Sequence, residues 1–427
     1  MRRMWTCALA ITAAVLAPAI PASADEVDVL IDKLVEKGHL TPSEAEEVRS
    51  EIGAGARQRE EEQRALLEEA SKEIVPRWTQ SLTWSGDLRL RHEAFWREDA
   101  PDRNRERIRL RAGVKAKVAA PLELGARFAT GAPLDPISTN QTLTHVFDKK
   151  PVFIDQAYAR YSTASLPARP RVPVTVVAGK FEIPFAYGSL VWDGDVTMEG
   201  IAAGITPRTG RIEWSLLGGA FPVEEISNGE DPTLVAGQLG AAWAAATQDG
   251  SHAPLKLRAA AAYYDFVNLD EGLPTAGGDS FGNSAMTNGE GTTSFLARDF
   301  DELDLMAEIS SSLLAEPFRV FAEYVRNTSP GGDDEGYQVG ARWGRTDEPL
   351  DVEIGAFYQR LEADAVLGRF TDSDFGTGGT DQEGVVGWIT VGTLKNSTIG
   401  VRWSSTDAIE GDRGHLDRAT FDWITKF

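Results

Sequence analysis

The stretch that most constrains this chain runs from Arg103 to Val118, RNRERIRLRAGVKAKV. From Arg107 onward its odd positions are basic (Arg107, Arg109, Arg111, Lys115 and Lys117, with Gly113 the gap), while Ile108, Leu110, Ala112, Val114, Ala116 and Val118 are apolar. That is a period of two. Successive side chains of a strand point to opposite faces, whereas a helix would smear both sets around its axis. The stretch therefore reads as a strand with one oily and one cationic face, and the rest of the chain must decide whether the oily face meets a protein core or lipid.

The first residues narrow the choice. Arg2 and Arg3 precede an apolar run from Trp5 to Ala17, followed by Pro18, Pro21 and the small residues Ala22, Ser23 and Ala24. This is the pattern of a secretory signal peptide over residues 1–24, cleaved before Asp25. The apolar run is too short for a membrane-spanning helix, and the prolines break any extension of it. Cys7 is the single cysteine and falls inside this segment, so neither disulfides nor thiolate metal sites are expected in the mature chain. The net charge of −22 becomes more negative still once Arg2 and Arg3 are removed, which argues against nucleic-acid binding. Beyond residue 24 no long apolar stretch exists, leaving a soluble exported protein or a barrel whose membrane signal lies in alternation.

Residues 25–75 read as a helical arm. Val27, Leu30, Ile31, Leu34 and Val35 follow the spacing of one apolar stripe, and Gly38 is a natural stop. Thr41, Pro42 and Glu44 then supply an N-cap, a first-turn proline and a capping-box glutamate for a second helix, with Ala45, Val48 and Ile52 on one face. A third, charge-dense segment spans Gln58 to Ile74. The arm is either an oligomerising or tethering device in the periplasm or a solvated spacer.

From residue 76 the sequence changes to strands rich in Val, Tyr, Trp and Gly, and stays so to residue 427. Sixteen are expected: 82–97, 104–119, 122–130, 152–162, 172–182, 196–206, 211–221, 234–246, 254–267, 302–313, 317–327, 336–345, 349–361, 384–393, 396–405 and 417–427. Alternation is clear in Leu122, Leu124, Ala126, Phe128 and in Val352, Ile354, Ala356, Tyr358, with Glu123, Arg127, Arg342, Glu353, Gln359 and Arg402 on opposite faces. Short connections near Ala120, Leu166, Thr209, Gly250, Glu316, Asp347 and Asn396 alternate with connections that are mostly long: 131–151, 183–195, 222–233, 268–301, 363–383 and 406–415. A soluble sandwich gives no reason for that alternation, whereas an outer-membrane barrel does. The last strand places Phe421, Trp423, Thr425 and the terminal Phe427 on one face, which resembles the recognition signal of outer-membrane barrels.

The chain as a whole resembles the family of bacterial outer-membrane proteins called "Putative porin". The resemblance rests on Leu34, Val35, Lys37, Gly38, Leu40, Thr41, Glu44 and Ala45 in the arm, on Asp135 to Leu143, on Gly179, Lys180, Phe181, Pro184 and Phe185 with LVWDGD (Leu190 to Asp195), and on Ala365 to Asp381. It implies a porin-like channel without naming a solute. The expected fold class is thus an all-β transmembrane barrel of about sixteen antiparallel strands with a short helical periplasmic N-terminal segment, located in the cell outer membrane. The expected function is passive diffusion of small hydrophilic solutes or ions, with a mild anion preference. The alternative is a structural tether anchored through the N-terminal helices.

A barrel of this size leaves a watery lumen, so function lies in what lines and narrows it. Arg89, Arg91, Arg107, Arg109, Arg111, Lys115 and Lys117 would form a basic wall, extended by Arg127. The wall either draws anions or consists of lumen charges paired with loop carboxylates, and the excess of acids favours the second. In many porins the third outer loop folds inward. If this one does so, Tyr187, Trp192, Asp193 and Asp195 form the constriction, with both aspartates facing the basic wall across the opening; otherwise 183–195 is a surface loop with a turn at Asp193 and Gly194. Residues 131–150, through Asp135, Asn140, Gln141 and His145, compete for the same role.

Asp372, Asp374 and Glu383 stand at positions one, three and twelve of an EF-hand spacing, but Gly376 and Thr377 replace the acid and the glycine that such a loop needs, so no metal is expected. The five histidines are scattered, and no catalytic spacing is present, so no enzyme and no cofactor are expected; His92, on the apolar side of the first strand, is the one residue that a lipid-facing barrel hydrolase would use. The partners expected are outer-membrane lipid and lipopolysaccharide, the barrel-assembly machinery through the Phe427 strand, and the cell wall through residues 25–75, with homotrimerisation left open.

Overall fold

The structure is a computed structural model, and it describes residues 24–51, positions 54, 58, 61 and 62, and residues 81–427 apart from 99, 145, 169, 228, 246–253, 270–279, 288–293, 315, 330 and 412–413. The expected signal peptide up to residue 23, most of the third helical segment, His145, His252 and the turn at Gly250 lie outside the described residues. The chain divides into two compact units, residues 1–77 and 78–427.

In the first unit, α1 (Ala24–Glu36) ends at Gly38, whose φ of +67° is a left-handed stop. A second helix, α2 (42–51), opens on a reciprocal capping box: the Thr41 amide donates to Glu44 Oε2 at 2.7 Å and the Glu44 amide to Thr41 Oγ1 at 3.3 Å. Ile31 on α1 and Ala45 on α2 are buried, and Arg49 bridges to Asp32.

The second unit is a closed barrel of sixteen antiparallel strands: β1 (Thr83–Arg97), β2 (Arg103–Ala119), β3 (Leu122–Thr130), β4 (Val152–Ser162), β5 (Val174–Glu182), β6 (Thr197–Ile205), β7 (Ile212–Pro222), β8 (Thr233–Ala244), β9 (Lys256–Val267), β10 (Asp301–Leu313), β11 (Glu316–Asn327), β12 (Glu335–Gly344), β13 (Val352–Leu361), β14 (Gln382–Leu394), β15 (Ser397–Ala408) and β16 (Leu416–Lys426). Each strand pairs with the next, and β16 returns to β1 with Leu88 opposite Thr425 and His92 opposite Phe421. Closure matters because the bilayer offers no water to an unpaired strand edge. The seam is finished by the terminal residue: Gly86 and Phe427 exchange backbone hydrogen bonds at 2.9 and 3.0 Å. The Phe427 ring lies where a Cβ on residue 86 would come within 2.5 Å of it, so only glycine fits there.

Period two now has a physical meaning. On β1 and β2, Leu88, Leu90 and Leu110 face out and are about two-fifths exposed, as are Ile354, Ile389 and Ile399 farther round. No core covers this apolar band, so it is the lipid surface. Aromatic residues cluster on it toward the ends of the strands, with Trp96 stacked on Trp403 at 5.4 Å and Tyr337 beside Tyr358 at 6.0 Å, the usual girdle position. His92 also faces outward, paired with Glu106 at 2.6 Å.

The longer connections do not simply stand clear of the barrel. Residues 183–196 and 362–381 bury much of their length, as does the short stretch 137–140, and with the inner wall they form a core around Phe185, Leu190, Trp192, Tyr264, Phe266, Phe300 and Leu367. Trp192 packs against Tyr264, Phe266 and Phe370 with centroids 5.4, 6.4 and 5.5 Å away. The barrel is thus filled at its long-loop end by its own loops.

Candidate functional site

The loop between β5 and β6 is held inside the barrel by backbone recognition. Gln238 on β8 grips Ala186 from both sides, accepting its N–H at 2.8 Å and donating to its carbonyl at 2.7 Å. Glu323 on β11 accepts the amides of Gly188 and Leu190 at 3.2 and 3.3 Å, and Gln338 on β12 donates to Ser189 Oγ at 2.6 Å. Gly188 is needed for this approach, since a Cβ there would overlap the Glu323 carboxylate. Buried amides and carbonyls are satisfied this way where no ladder partner is available.

Asp195 lands directly on the basic wall, its Oδ1 3.2 Å from Arg111 Nη1 and 3.6 Å from Arg109 Nη1. It also accepts from the amide and hydroxyl of Thr139 at 2.9 and 2.8 Å, tying in the loop 131–151. Burial would raise its carboxyl, but Arg109 and the Thr139 amide outweigh it and hold the group below the ordinary carboxylate range. Asp193 points elsewhere. It accepts from the Asp195 and Ser373 amides at 2.7 and 2.8 Å, and burial together with the neighbouring Asp372 and Asp195 carboxylates pushes it up to about 8. The expected arrangement, with both aspartates facing the wall across an opening, is therefore corrected: Asp195 closes onto the wall, Asp193 turns into the loop core, and no gap separates Asp195 from Arg111. Trp192 lies in the aromatic core, and Tyr187 faces the open cavity.

The basic wall is one half of a charge lattice. Arg109 and Arg111 share Asp87, at 2.7 and 2.6 Å. Arg91 bonds to Asp422 and Asp374, each at 2.8 Å. Glu93, fully buried, is surrounded by Arg91, Arg105, Arg107 and Arg418, with Arg418 at 2.6 Å. Arg107 also donates to Ser138 Oγ and to the Asn140 carbonyl. Arg127 is taken by Asp155 and Glu182. Lys115 sits exposed on the inner face of β2, toward the short-turn end. Most of these cations pair with carboxylates on the strands themselves (Asp87, Glu93, Asp155, Glu182 and Asp422), and the loop carboxylates Asp195 and Asp374 join the lattice at Arg109, Arg111, Arg91 and Arg418. In a low-dielectric interior, ions unpaired by comparable charges would be costly.

Asp372, Asp374 and Glu383 do not converge on a shared point. Asp374 binds Arg91 and Arg418, Asp372 binds Arg402, and Glu383 binds Arg360. Burial would raise Asp374, but Arg91 and Arg418 hold it well below the carboxylate range. Among the described residues no group of three or more ligating side chains could hold a metal ion.

Below the loop, toward the short-turn end, a cavity of about 990 Å³ opens inside the barrel. Of the basic residues singled out in the sequence, Arg89 and Arg91 line it; Arg107, Arg109, Arg111, Lys115 and Arg127 do not. The rest of its charge comes from Arg258, Arg319, Arg342 and Arg402, set among Glu213, Glu308, Glu323, Asp374 and Asp422. Arg342 and Arg402 were visible as polar-face residues of alternating strands. Arg258 and Arg319 were not, because β9 is a run of alanines with little contrast and Arg319 stands among apolar neighbours. Phe185 to Ser189 and Asp374 form the upper lining, so two inward loops narrow this space.

Residues 96–293 and 297–427 match the family described as "Putative porin". The chain belongs to that family. No curated protein matches it. Among solved structures, the high-pH structure of Pseudomonas putida OprB is similar, at 11% identity over 82% of this chain and 95% of that one, with a TM-score of 0.50. OmpF of Salmonella typhi in complex with daunomycin (11% identity, 81% and 97% covered, TM-score 0.47) and OpdO of Pseudomonas aeruginosa (10%, 82% and 97%, 0.44) also match. The porin is an outer-membrane channel protein, and its apolar band is the face that meets lipid.

Proposed function

We propose that this porin is a passive channel for small hydrophilic solutes and ions, with a mild anion preference. The observation that carries the reading is the lined cavity: a closed barrel encloses watery space, narrowed by its own loops, in which cations outlast their partners. Arg258 has no carboxylate within 4.0 Å among the described residues, and Arg89 has only Asp422 at 3.9 Å. Elsewhere the lattice of Arg91, Arg109 and Arg111 with Asp87, Asp195 and Asp374 cancels most of its own field, so the preference is weak. In this reading the short turns and α1–α2 face the periplasm, and the Phe427 strand is presented to the assembly machinery. Liposome swelling tests conduction. Vesicles holding the purified protein should swell in isotonic small sugars at rates that fall with solute size; rates equal to protein-free vesicles would reject the channel.

One observation favours a second role. Val29 and Leu30 on α1 are more than half exposed, an apolar surface suited to neighbouring copies of the arm or to a cell-wall component. Deleting residues 25–75 should leave swelling intact in either case and should release the barrel from the cell wall only if the arm tethers it.

A further inference from the structure

Three arginines of the cavity form one cluster on neighbouring strands. Arg319 on β11 stands directly opposite Arg342 on β12, and Arg258 on β9 stands opposite Glu308 on β10. Like charges set opposite each other on paired strands repel. Two carboxylates answer them, Glu308 bonding to Arg319 at 3.1 Å and Glu353 on β13 to Arg342 at 3.5 Å. Arg258 is left over. The charges that act on Arg319 are those of Arg342, Glu308, Arg258 and Glu353, strongest first. Three cations thus share two carboxylates, and Arg319 Nε is buried with no hydrogen-bond partner. An aromatic floor adjoins this patch. Glu353 Oε1 accepts Trp388 Nε1 at 3.1 Å while its Oε2 meets Arg342, so one carboxylate holds the indole of β14 beside the guanidinium. The indole lies against the backbone of Gly355, the residue opposite Arg342, where a Cβ would overlap the ring. Trp388 and the three arginines all line the cavity.

We propose that this patch binds aromatic monocarboxylates, the carboxylate taken between Arg319 and Arg342 and the ring laid on Trp388. A guanidinium fork matches a carboxylate and gives a charge-assisted hydrogen bond stronger than a neutral one. The excess of one cation balances the single charge of a carboxylate and falls short of the nearly doubled charge of a phosphate monoester. An anion seated there also relieves the repulsion between Arg319 and Arg342. The distances suit one small molecule, because opposed residues on paired strands stand about 5 Å apart and the indole covers the residue opposite Arg342. A ring placed there meets Trp388 in an offset stack, the arrangement that aromatic pairs prefer. The site rests on the channel reading and gives that channel a preferred class of solute.

The test is block of single-channel current in planar bilayers. Benzoate, acetate, benzamide and inorganic phosphate are added in turn to KCl on the short-turn side. Benzoate should halve the current at a concentration about fivefold below acetate, which lacks the ring. Benzamide, which lacks the charge, should leave the current unaltered at that concentration. Arg319→Gln leaves two cations to two carboxylates, with Glu308 free to turn to Arg258, and should raise the half-blocking benzoate concentration about tenfold. Trp388→Leu should bring benzoate level with acetate. Benzoate blocking no better than acetate overturns the proposal, and so does benzamide or phosphate blocking as well as benzoate. Either variant, if it conducts in plain KCl and is blocked as the parent is, overturns it too. Absence of any current from the unsubstituted protein would instead reject the channel itself.

Discussion

Glu93 shows how a single residue is fixed by its surroundings. Its carboxylate is fully buried on β1, with Arg105 and Arg418 bonded to it and Arg91 and Arg107 within 4.0 Å. Removing one partner from a buried ionic cluster leaves the others uncompensated, at a cost of about 3–5 kcal/mol. Glu93→Gln should therefore lower the temperature at which the folded barrel converts to its unfolded electrophoretic form, while Glu123→Gln, on a half-exposed partner of Tyr158, should leave it nearly unchanged. Asp193 supports a prediction with the opposite sign from most acids. Its folded value of about 8 lies above the ordinary carboxylate value, so its contribution is complete at low pH and is lost as pH rises through about 8. Asp374 behaves inversely, contributing above the ordinary range and failing only well into acid. Melting followed from pH 6 to pH 9 should show stability declining through about pH 8, and Asp193→Asn should flatten that decline. An unaltered profile in the variant would remove Asp193 as its source.

At the scale of elements, the strands and the loops obey different information. Every expected strand is present, with ends shifted by only a few residues, because alternation is written locally: Leu122, Leu124 and Phe128 face out wherever the neighbours lie. The destination of a loop is not local. The inward course of 183–196 depends on Gln238, Glu323 and Gln338, which come from three strands far along the chain. Nothing in LVWDGD marks Asp195 as the partner of Arg111 and Asp193 as the partner of Ser373. The same limit hid Arg258, which stands out only because Glu308 is engaged elsewhere. The anchoring of the loop is testable. Gln238→Ala strips the Ala186 N–H and carbonyl of their partners, which costs about 1–3 kcal/mol for each buried group left unpaired. The variant should conduct with larger current fluctuations than the parent, because the loop that narrows the cavity is less firmly docked. Steady current of the parental size would show that Glu323 and Gln338 suffice.

For the whole molecule, the stretch from Arg103 to Val118 is now placed on both sides. Its apolar residues belong to the lipid face of β2, and its arginines are locked into a lattice that fixes loops to the wall. Free charge is left instead at Arg89 and Arg258, in the wider cavity below. The central claim is that this barrel conducts passively and slightly favours anions. The most direct measurement is the zero-current potential of the purified protein in a planar bilayer under a KCl gradient. The account predicts a potential of the sign set by chloride and small in size, moving toward zero in Arg258→Gln. A potential of the opposite sign, or one unmoved in that variant, would contradict it.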